Sequence, residues 1–416
     1  MNFQPIIDFI RTLYPGRKTI PLHEPYFGGN EKKYLMDCID STYVSSVGMY
    51  VDRFEQMIRE FTAAKFAVAT VNGTAALHVA LLLAGVQKGD LVITQPLTFI
   101  ATSNAITYCG AEPVFIDIDR QTLGLSADAL EAWLRVNVDI VDRGLDGRDS
   151  LEGLDSIGKW LPSQRSKQRS AQPSKHQGVC IHKARRKRIS ACVPMHTFGH
   201  SCEIDRIVEI CRRYHITVVE DAAESIGSYY KGRHTGTFGK LGILSFNGNK
   251  TITTGGGGMI PTNDEELGRL AKHITTTAKK PHPWNFEHDM TGYNYRLPNI
   301  NAALGCAQME QLPEILANKR ETAQKYKEFF SDLPETEYID EPADCRSNFW
   351  LNAILLPDRE TRDDFLQYTN DNKVMTRPAW TLMTKLPMYR DSISGNLDQS
   401  EDFALRLVNL PSSVRI

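Results

Sequence analysis

The 416-residue sequence has no long apolar run, and none approaches the roughly 20 residues needed to cross a bilayer. Its start, MNFQPIIDFIRTLYPGRK, lacks the basic-then-apolar order and the small-residue cleavage site of a signal peptide. Cysteine is sparse, and eight scattered residues are typical of reduced thiols rather than of a disulfide framework. Neither sign of charge is in excess, because the formal net charge is -2. These absences favour a cytoplasmic protein that binds neither membrane nor nucleic acid.

What is present is the composition of a globular enzyme. Hydrophobic residues make up 41% and charged residues 24%, and a chain of this length is expected to build more than one core. Apolar runs of strand length alternate with helical patterns along most of the chain. We therefore predict an N-terminal segment and a large α/β domain with a mostly parallel sheet over residues 1–285, and a smaller α+β domain over 286–416.

The individual elements of this prediction follow from the pattern. Strands are predicted at 66–71, 91–93, 112–117, 189–195 and 216–220, with helices at 74–85, 99–108, 127–134 and 204–214. Beyond 299 we predict long helices interrupted or kinked near Pro313, then a strand near 349–356 and a helix near 360–372. Ligands of parallel sheets bind outside the carboxyl ends of the strands, so chemistry is expected in the loops after the strands.

A basic segment without acids interrupts the alternation. Between Asp155 and Glu203 stand 47 residues with no acid and ten Lys or Arg, ending in HKARRKR at 182–188. One interpretation is a patch for nucleic acid or lipid head groups. Ser, Gln and Pro dominate 162–177, however, and aromatic residues are not interleaved with the basic ones. We therefore favour a polar surface insertion spanning about 142–188.

Lys250 lies in LGILSFNGNKTITTGGGGMI (241–260), between two strand-like segments and before four glycines. The simplest interpretation is a solvated side chain at the edge of the sheet. A second is the end of a nucleotide phosphate loop, although Asn249 separates Lys250 from the glycine that should directly precede the lysine. A third is a Schiff-base lysine, whose amine must be withdrawn from water to be nucleophilic.

Two further segments favour the third interpretation. Asp221 in VVEDAAES ends a predicted buried strand; acids there are often helix caps, but pyridoxal phosphate needs a carboxylate at its pyridine nitrogen. In VNGTAALHVALLLAG (71–85) a strand passes into a helix through Asn-Gly-Thr. Free N–H groups of Thr74 and Ala75 would form a phosphate site there, with an ordinary capped turn as the alternative. Together the three segments predict a pyridoxal-phosphate enzyme with Lys250 and Asp221 as its catalytic residues.

In chain order, NGTAAL, LTFIAT, VEDAAES, SFNGNKTITTGGGGM and GYNYRLPNINAALG resemble the nucleotide-sugar aminotransferases of the DegT/DnrJ/StrS type. The resemblance runs from PLHEPYFGGNE (21–31) to NLPSS (409–413). The motifs EDAAES, FNGNK and GYNYRLPN are most similar to those of enzymes that aminate the 4-keto carbon of nucleotide-linked 4-keto-6-deoxy sugars. Within these they are nearest to the branch of legionaminic acid and bacillosamine precursors, which serves bacterial surface polysaccharides and glycans.

This resemblance implies a fold, a cofactor and partners. The fold is that of the type I, aspartate-aminotransferase-like enzymes, and the assembly is a homodimer with shared active sites. The cofactor is pyridoxal 5'-phosphate, the amino donor glutamate, and the acceptor a keto sugar linked to a nucleotide. Lys250 matches the Schiff-base lysine and Asp221 the partner of the pyridine nitrogen. Glu224 matches the position facing the phenolic oxygen of the cofactor, where many relatives carry Gln.

The remaining cofactor-binding positions also come from the resemblance. Phe99 matches the aromatic residue that stacks on the pyridine ring, although its sequence context alone favours core packing at a helix start. Thr74, Ala75 and Ser245 match the positions that bind the phosphate. Asn294 matches a residue that reaches the phosphate from the other subunit.

Two groups of residues are ambiguous. A zinc site could be drawn from Cys180, His182, Cys192, His196, His200 and Cys202. Their spacing does not form paired CxxC motifs, so we predict no metal. Three tryptophans fit a substrate cleft and a core equally well, namely Trp284, Trp350 and Trp380.

Two rival functions stay open beside the aminotransferase. A sugar dehydratase on the same fold is one, but relatives with that activity replace the Schiff-base lysine with His, and Lys250 argues against it. A non-enzymatic regulatory or binding protein is the other. It predicts a dispensable Lys250 and salt-sensitive binding through 156–188.

Overall fold

The computed structural model describes residues 1–142 and 178–415. The part of the predicted insertion at 143–177 lies outside the described residues. The helices are α1 (Gln4–Leu13), α2 (Glu31–Asp40), α3 (Met49–Thr62), α4 (Gly73–Leu83), α5 (Ile100–Tyr108), α6 (Ala127–Asn137), α7 (Ile204–Arg213), α8 (Glu265–Thr275), α9 (Asn299–Ser331), α10 (Arg359–Asp371) and α11 (Asp398–Arg406).

The strands are short, and most are buried. They are β1 (Phe66–Thr70), β2 (Leu91–Thr94), β3 (Glu112–Phe115), β4 (Val138–Asp142), β5 (Gly178–His182), β6 (Ile189–Val193), β7 (Thr217–Asp221), β8 (Tyr229–Tyr230), β9 (Arg233–His234), β10 (Leu241–Ser245), β11 (Gly258–Thr262), β12 (Glu337–Tyr338), β13 (Cys345–Arg346), β14 (Asn352–Leu355), β15 (Arg377–Pro378), β16 (Ile393–Ser394) and β17 (Leu407–Leu410).

Eight of these strands form one large sheet in the order β1-β11-β10-β7-β6-β2-β3-β16. Neighbours from β10 to β16 run parallel, whereas β11 is antiparallel to both β1 and β10. Every residue of β2, β6 and β10 is buried, because helices cover both faces of the sheet. Such strands are apolar along their whole length, which is the pattern seen in the sequence. The predicted α/β fold with a mostly parallel sheet is confirmed.

A smaller antiparallel sheet has the order β12-β14-β17-β15. It packs against α9, α10 and α1, and α1 inserts Ile6, Ile7, Ile10 and Leu13 into the shared core. Helices α1, α2 and α3 were not predicted from the sequence. Both ends of the chain cross the predicted boundary at residue 285, since α1 packs on the smaller sheet and β16 joins the large one. The domain division itself stays a prediction.

Helix α9 corrects one prediction. It runs for 33 residues without a break and contains Pro313, where the sequence predicted an interruption or a kink, so the predicted interruption is wrong and the kink stays a prediction. Proline removes one backbone hydrogen bond and strains the preceding turn, at a cost of about 3 kcal/mol. Leu312 and Ile315 on either side are buried in the core that α9 shares with α3, and this packing outweighs the local cost.

The basic end of the predicted insertion contains a strand and ion pairs, and the insertion itself stays a prediction. Strand β5 lies within 142–188 and pairs with β4 over five residues, so this part of the segment is regular structure. Arg188 binds Asp90, with a 3.0 Å hydrogen bond from Nε to Oδ1, and Lys187 pairs with Glu112. Two of the basic side chains therefore have acidic partners on neighbouring elements, and their charge is locally compensated.

Candidate active site

A cavity of about 420 Å³ opens where β7 and β10 end and α4 begins. It contains six of the eight side chains predicted for the site, namely Thr74, Phe99, Asp221, Glu224, Ser245 and Lys250. Parallel strands place the loops after their carboxyl ends at one edge, which explains why residues distant in sequence meet here. Ala75 and Asn294 are the two predicted residues that do not line the cavity of the single chain.

Lys250 lies in the loop between β10 and β11, and only 9% of its surface is exposed. Its Nζ donates a 3.1 Å hydrogen bond to Glu224 Oε1 and lies 4.0 Å from the centre of the Trp350 ring. The interpretation as a solvated lysine is therefore wrong. The nucleotide-loop interpretation is wrong as well, because the loop leads into strand β11 and not into the helix that this motif requires.

Asp221 is the last residue of β7 and is 4% exposed. Thr102 Oγ1 donates to its Oδ2 at 2.7 Å, and the Ala223 amide donates to its Oδ1 at 3.2 Å. Burial raises the pKa of this carboxyl group, while the two hydrogen bonds and the charge of Lys250 oppose the rise. No helix begins at Asp221, so the helix-cap interpretation does not apply. The carboxylate is held by partners and stands ready for a positive group.

Glu224 is 2% exposed and lies in the cavity beside Lys250. Its second oxygen, Oε2, accepts a 3.0 Å hydrogen bond from the Phe198 amide. Burial raises the pKa of Glu224 to about 7, against the opposing effect of the Lys250 charge. A carboxyl group with this pKa can hold or release a proton near neutral pH. A carboxyl group that faces a phenolic oxygen needs a proton or a neighbouring donor, and the Phe198 amide and Lys250 Nζ are such donors.

The start of α4 forms the opposite wall. The Asn72 side chain accepts a 2.7 Å hydrogen bond from the Ala75 amide, so the predicted free N–H of Ala75 is wrong: this amide is capped. The amides of Gly73 and Thr74, in the first helical turn, have no intrahelical acceptor. A Cβ at Gly73 would lie 2.9 Å from the Ser245 Cβ, and glycine lets the helix start approach the end of β10. The resulting notch suits an anion.

The aromatic residues of the cavity differ in their packing. Phe99 stands at the N-cap position of α5 and is 49% exposed, so the core-packing interpretation of this residue is wrong. Trp380 lies with its ring 6.5 Å from Phe99 and 5.3 Å from Phe198. Trp350 and Trp380 both line the cavity, whereas Trp284 is 75% exposed elsewhere. Two of the three ambiguous tryptophans thus belong to the cleft.

Asn294 lies outside the cavity; it is exposed and forms an isolated β-bridge with Thr276. Its Oδ1 accepts hydrogen bonds from Arg296, the shorter at 3.1 Å. The role predicted for Asn294 is contact with the phosphate of a second subunit. That role stays a prediction, because it needs a second copy of the chain.

The residues of the possible zinc site serve other contacts. His196 Nε2 lies 3.1 Å from Glu220 Oε2, and its Nδ1 accepts a 3.2 Å hydrogen bond from the Cys202 amide. Across residues 1–142 and 178–415, no three or more His, Cys, Asp or Glu side chains are grouped so that they could hold a metal ion. Within the same ranges, no helix combines the length and apolarity that a membrane span requires.

Sequence reasoning missed several residues around the site. Thr102 follows Phe99 by one helical turn, and that spacing could have indicated a side chain on the same face of α5. Asn72 could have been recognised as an N-cap residue. Asn348, which contacts the Glu224 and Lys250 segments, carries no local signal, because its partners are about a hundred residues away in sequence.

Comparison with known proteins agrees with this geometry. The model of the "DegT/DnrJ/EryC1/StrS aminotransferase family" matches residues 25–137 and 177–416, and so skips the segment between them. The chain is 35% identical over 395 residues to "GDP-perosamine synthase" of Escherichia coli O157:H7, covering 95% of this chain and 93% of the relative. Among solved structures, the aminotransferase TlmJ from Streptoalloteichus hindustanus aligns with a TM-score of 0.78 at 24% identity, covering 95% of this chain and 93% of TlmJ. Spr1654 from Streptococcus pneumoniae, in its PLP form, aligns with a TM-score of 0.77 at 19% identity, covering 96% and 94%.

Proposed function

This chain belongs to the DegT/DnrJ/EryC1/StrS aminotransferase family, and we propose that it transfers an amino group from glutamate to the 4-keto carbon of a nucleotide-linked 4-keto-6-deoxy sugar. The observation that carries the proposal is the placement of Lys250. Its amine is buried in the cavity beside two carboxyl groups, opposite an open helix start.

The cofactor of this family is pyridoxal 5'-phosphate, and the cavity fits it. Asp221 is a buried carboxylate for the pyridine nitrogen, Gly73 and Thr74 offer amides to the phosphate, and Phe99 offers an exposed ring face. Ser245 stands beside the helix start as a further phosphate contact. When bound, the cofactor supplies a carbonyl that accepts an amine and a ring that accepts the electron pair left by proton removal.

The side chains then divide the work. Lys250 Nζ would hold the cofactor and, as a free amine, would take the proton from the donor's α-carbon and return it. Asp221 keeps a positive charge on the pyridine nitrogen, as its burial among hydrogen bonds allows. Glu224, with a pKa of about 7, exchanges a proton with Lys250 across their hydrogen bond. In sum, glutamate becomes 2-oxoglutarate and the keto sugar becomes an amino sugar.

The direct test replaces Lys250 with Ala. We expect Lys250→Ala to lose the visible absorbance of the attached cofactor and turnover with glutamate and keto sugar, a loss on the order of 10⁴-fold or more. Lys240→Ala is the matched control, because Lys240 is an exposed lysine at the other end of β10. Near wild-type transamination by Lys250→Ala would sink the proposal.

The identity of the sugar rests on two different supports. The relative from Escherichia coli is named for a GDP-linked sugar. The motif resemblance favours the branch of legionaminic acid and bacillosamine precursors, and with it a 2-acetamido group. A panel of UDP-, GDP- and dTDP-linked 4-keto sugars, incubated with glutamate, decides between them by which one yields 2-oxoglutarate. A product of this kind would serve bacterial surface polysaccharide or glycan synthesis, in the cytoplasm predicted from the sequence.

A homodimer is part of the proposal. The exposed position of Asn294 supports it, since this side chain is predicted to complete the phosphate site of a second copy. Ultracentrifugation at micromolar concentration should give the mass of two chains, and a monomer with full activity would contradict the shared site.

A further inference from the structure

Trp350 contacts both Lys250, on which the proposed function depends, and the residue before it. Its Nε1–H donates a 2.7 Å hydrogen bond to the carbonyl oxygen of Asn249, immediately before Lys250. The face of the same indole lies 4.0 Å from Lys250 Nζ. The amine is therefore enclosed between an aromatic face and the Glu224 carboxyl group, which is 3.1 Å away. An ammonium group over an indole face is attracted by the ring quadrupole, and tryptophan gives the strongest such contact.

Trp350 is itself fixed on both sides of its backbone. Its amide donates to Asn348 Oδ1 at 2.9 Å, and its carbonyl oxygen accepts from Lys319 Nζ at 3.2 Å. Lys319 is 1% exposed and also donates to the Ser412 carbonyl at 2.7 Å, so it is anchored in turn. An indole held at its backbone and at its ring nitrogen has little freedom to rotate away from the amine.

Asn348 ties this segment to the rest of the site. Its Nδ2 donates to the carbonyl oxygens of Glu224 at 2.9 Å and Ile226 at 2.8 Å, and lies 3.2 Å from Thr251 Oγ1. The Glu224 backbone and the residue after Lys250 thus share one partner. Residue 199 packs against Asn348 and must be glycine, because a Cβ there would lie 1.9 Å from Asn348 Oδ1. Its φ of +98° also favours glycine.

We propose that Trp350 is a positioning residue for Lys250, and that the segment from Asn348 to Trp350 keeps the amine in the cavity whether or not it is attached to the cofactor. The proposal rests on the proposed function, in which Lys250 must be displaced and must still return a proton. A free lysine side chain has four rotatable bonds and would otherwise sample many orientations. The indole and Glu224 confine it to the orientations in which transfer occurs.

The alternative to a positioning role is a purely structural one, because Trp350 also belongs to a hydrophobic cluster with Leu97, Phe198 and Leu351. Trp133 provides the matched control. It is a buried tryptophan of 8% exposure, and its ring stacks on His182 far from the cavity residues. Equivalent substitutions at the two positions each remove one buried indole, but only the indole of Trp350 contacts Lys250.

The experiment compares Trp350→Leu, Trp350→Phe and Trp133→Leu. Cofactor-free protein is mixed with pyridoxal phosphate, and its covalent attachment to Lys250 is followed by absorbance and by borohydride trapping with peptide mapping. We expect Trp350→Leu to slow attachment and to lower kcat by about tenfold each, with the KM for glutamate within about twofold. Trp350→Phe keeps a ring face but loses the Nε1–H bond, so its rate of attachment and its kcat should each fall about threefold. Trp133→Leu should keep the wild-type rate of attachment.

Attachment at the wild-type rate by folded Trp350→Leu overturns the positioning role, and so does equal slowing in Trp133→Leu. If Trp350→Leu does not fold, Trp350→Phe is the test: a wild-type rate of attachment there would show that the bond from Nε1 to Asn249 does not help to position the amine, and would overturn positioning by an anchored indole. Failure of the proposed function looks different, since it appears as turnover by Lys250→Ala whatever the Trp350 variants do.

Discussion

The floor and the wall of the cavity are built in opposite ways. On the floor, Asp221, Glu224 and Lys250 each have hydrogen-bond partners within the chain. On the wall, Gly73 and Thr74 line the cavity with amides that have no intrahelical acceptor, and Asn294 lies exposed outside it. A buried charge is tolerated only with partners, whereas a phosphate site must keep its donors free. The floor is thus organised before any ligand arrives, and the wall is shaped to receive one.

The largest effect on kcat should come from removing the charge of Asp221 on the floor of the cavity. We expect Asp221→Asn to lower kcat on the order of 10³-fold, because an amide cannot stabilise positive charge on the pyridine nitrogen. The cofactor should still attach to Lys250, which absorbance would show. Asp264→Asn, at the start of α8, is a distant control. Wild-type kcat in Asp221→Asn would mean that the floor acid does not act on the cofactor.

The second prediction asks whether the wall is completed by another chain. Lys250→Ala and Asn294→Ala should each be impaired alone. If each site takes Lys250 from one subunit and Asn294 from its partner, unfolding and refolding the two together should give mixed dimers with one intact site each. Activity should then recover to about a quarter of the wild-type value, measured per total chain. No recovery above the sum of the two variants would place both residues in the same subunit's site, or Asn294 outside it.

The third prediction separates helix stability from ligand binding at the wall. Asn72→Ala removes the cap of α4 and should cost about 1 kcal/mol of stability. It should also weaken binding of the cofactor by about tenfold, because the first turn that presents Gly73 and Thr74 is loosened. Asp264→Ala removes the equivalent cap of α8, where Asp264 accepts from the Leu267 amide at 3.1 Å. It should cost similar stability and leave cofactor binding unchanged. Equal weakening by both variants would attribute the effect to stability alone.

The smallest effect concerns pH. The folded-state pKa of Glu224 is raised to about 7 from 4.5, so the folded protein holds a proton that the unfolded chain releases. The stability linked to this proton is fully present below pH 4.5 and is lost as pH rises through about 7. Glu224→Gln has no such proton. Melting temperatures of the cofactor-free proteins from pH 5 to 8 should show the wild type falling relative to Glu224→Gln. Parallel curves would show that the carboxyl group is ionised throughout.

The fold could be predicted where burial leaves a recognisable apolar pattern in the sequence. The strands of the large sheet are apolar along their length, and Asp221 and Lys250 follow two of them, so both the sheet and the floor could be located. Helix α1 has apolar residues at Ile6, Ile7 and Ile10, a pattern that was present but not used. The interruption predicted near Pro313 is wrong because local strain was weighed without the packing around it.

The remaining features depend on contacts between distant segments. Whether the Ala75 amide is free depends on the conformation of the Asn72 side chain, and composition does not specify it. Asn348 joins the Glu224 and Lys250 segments only because the smaller sheet folds against the large one. The basic residues at 187 and 188 became ordinary ion-pair partners once β3 and the turn at Asp90 lay beside them.

Helix α9 has a consequence for motion. Near its start Asn301 donates a 2.7 Å hydrogen bond to the Thr254 carbonyl, in the loop that carries Lys250. Eighteen residues further along the same helix, Lys319 holds the Trp350 carbonyl. An unbroken helix behaves as a strut, so the two sheets cannot hinge apart without bending it or breaking these bonds. We therefore expect substrates to enter and leave through movements of loops, while the Trp350 backbone keeps its place relative to the loop that carries Lys250.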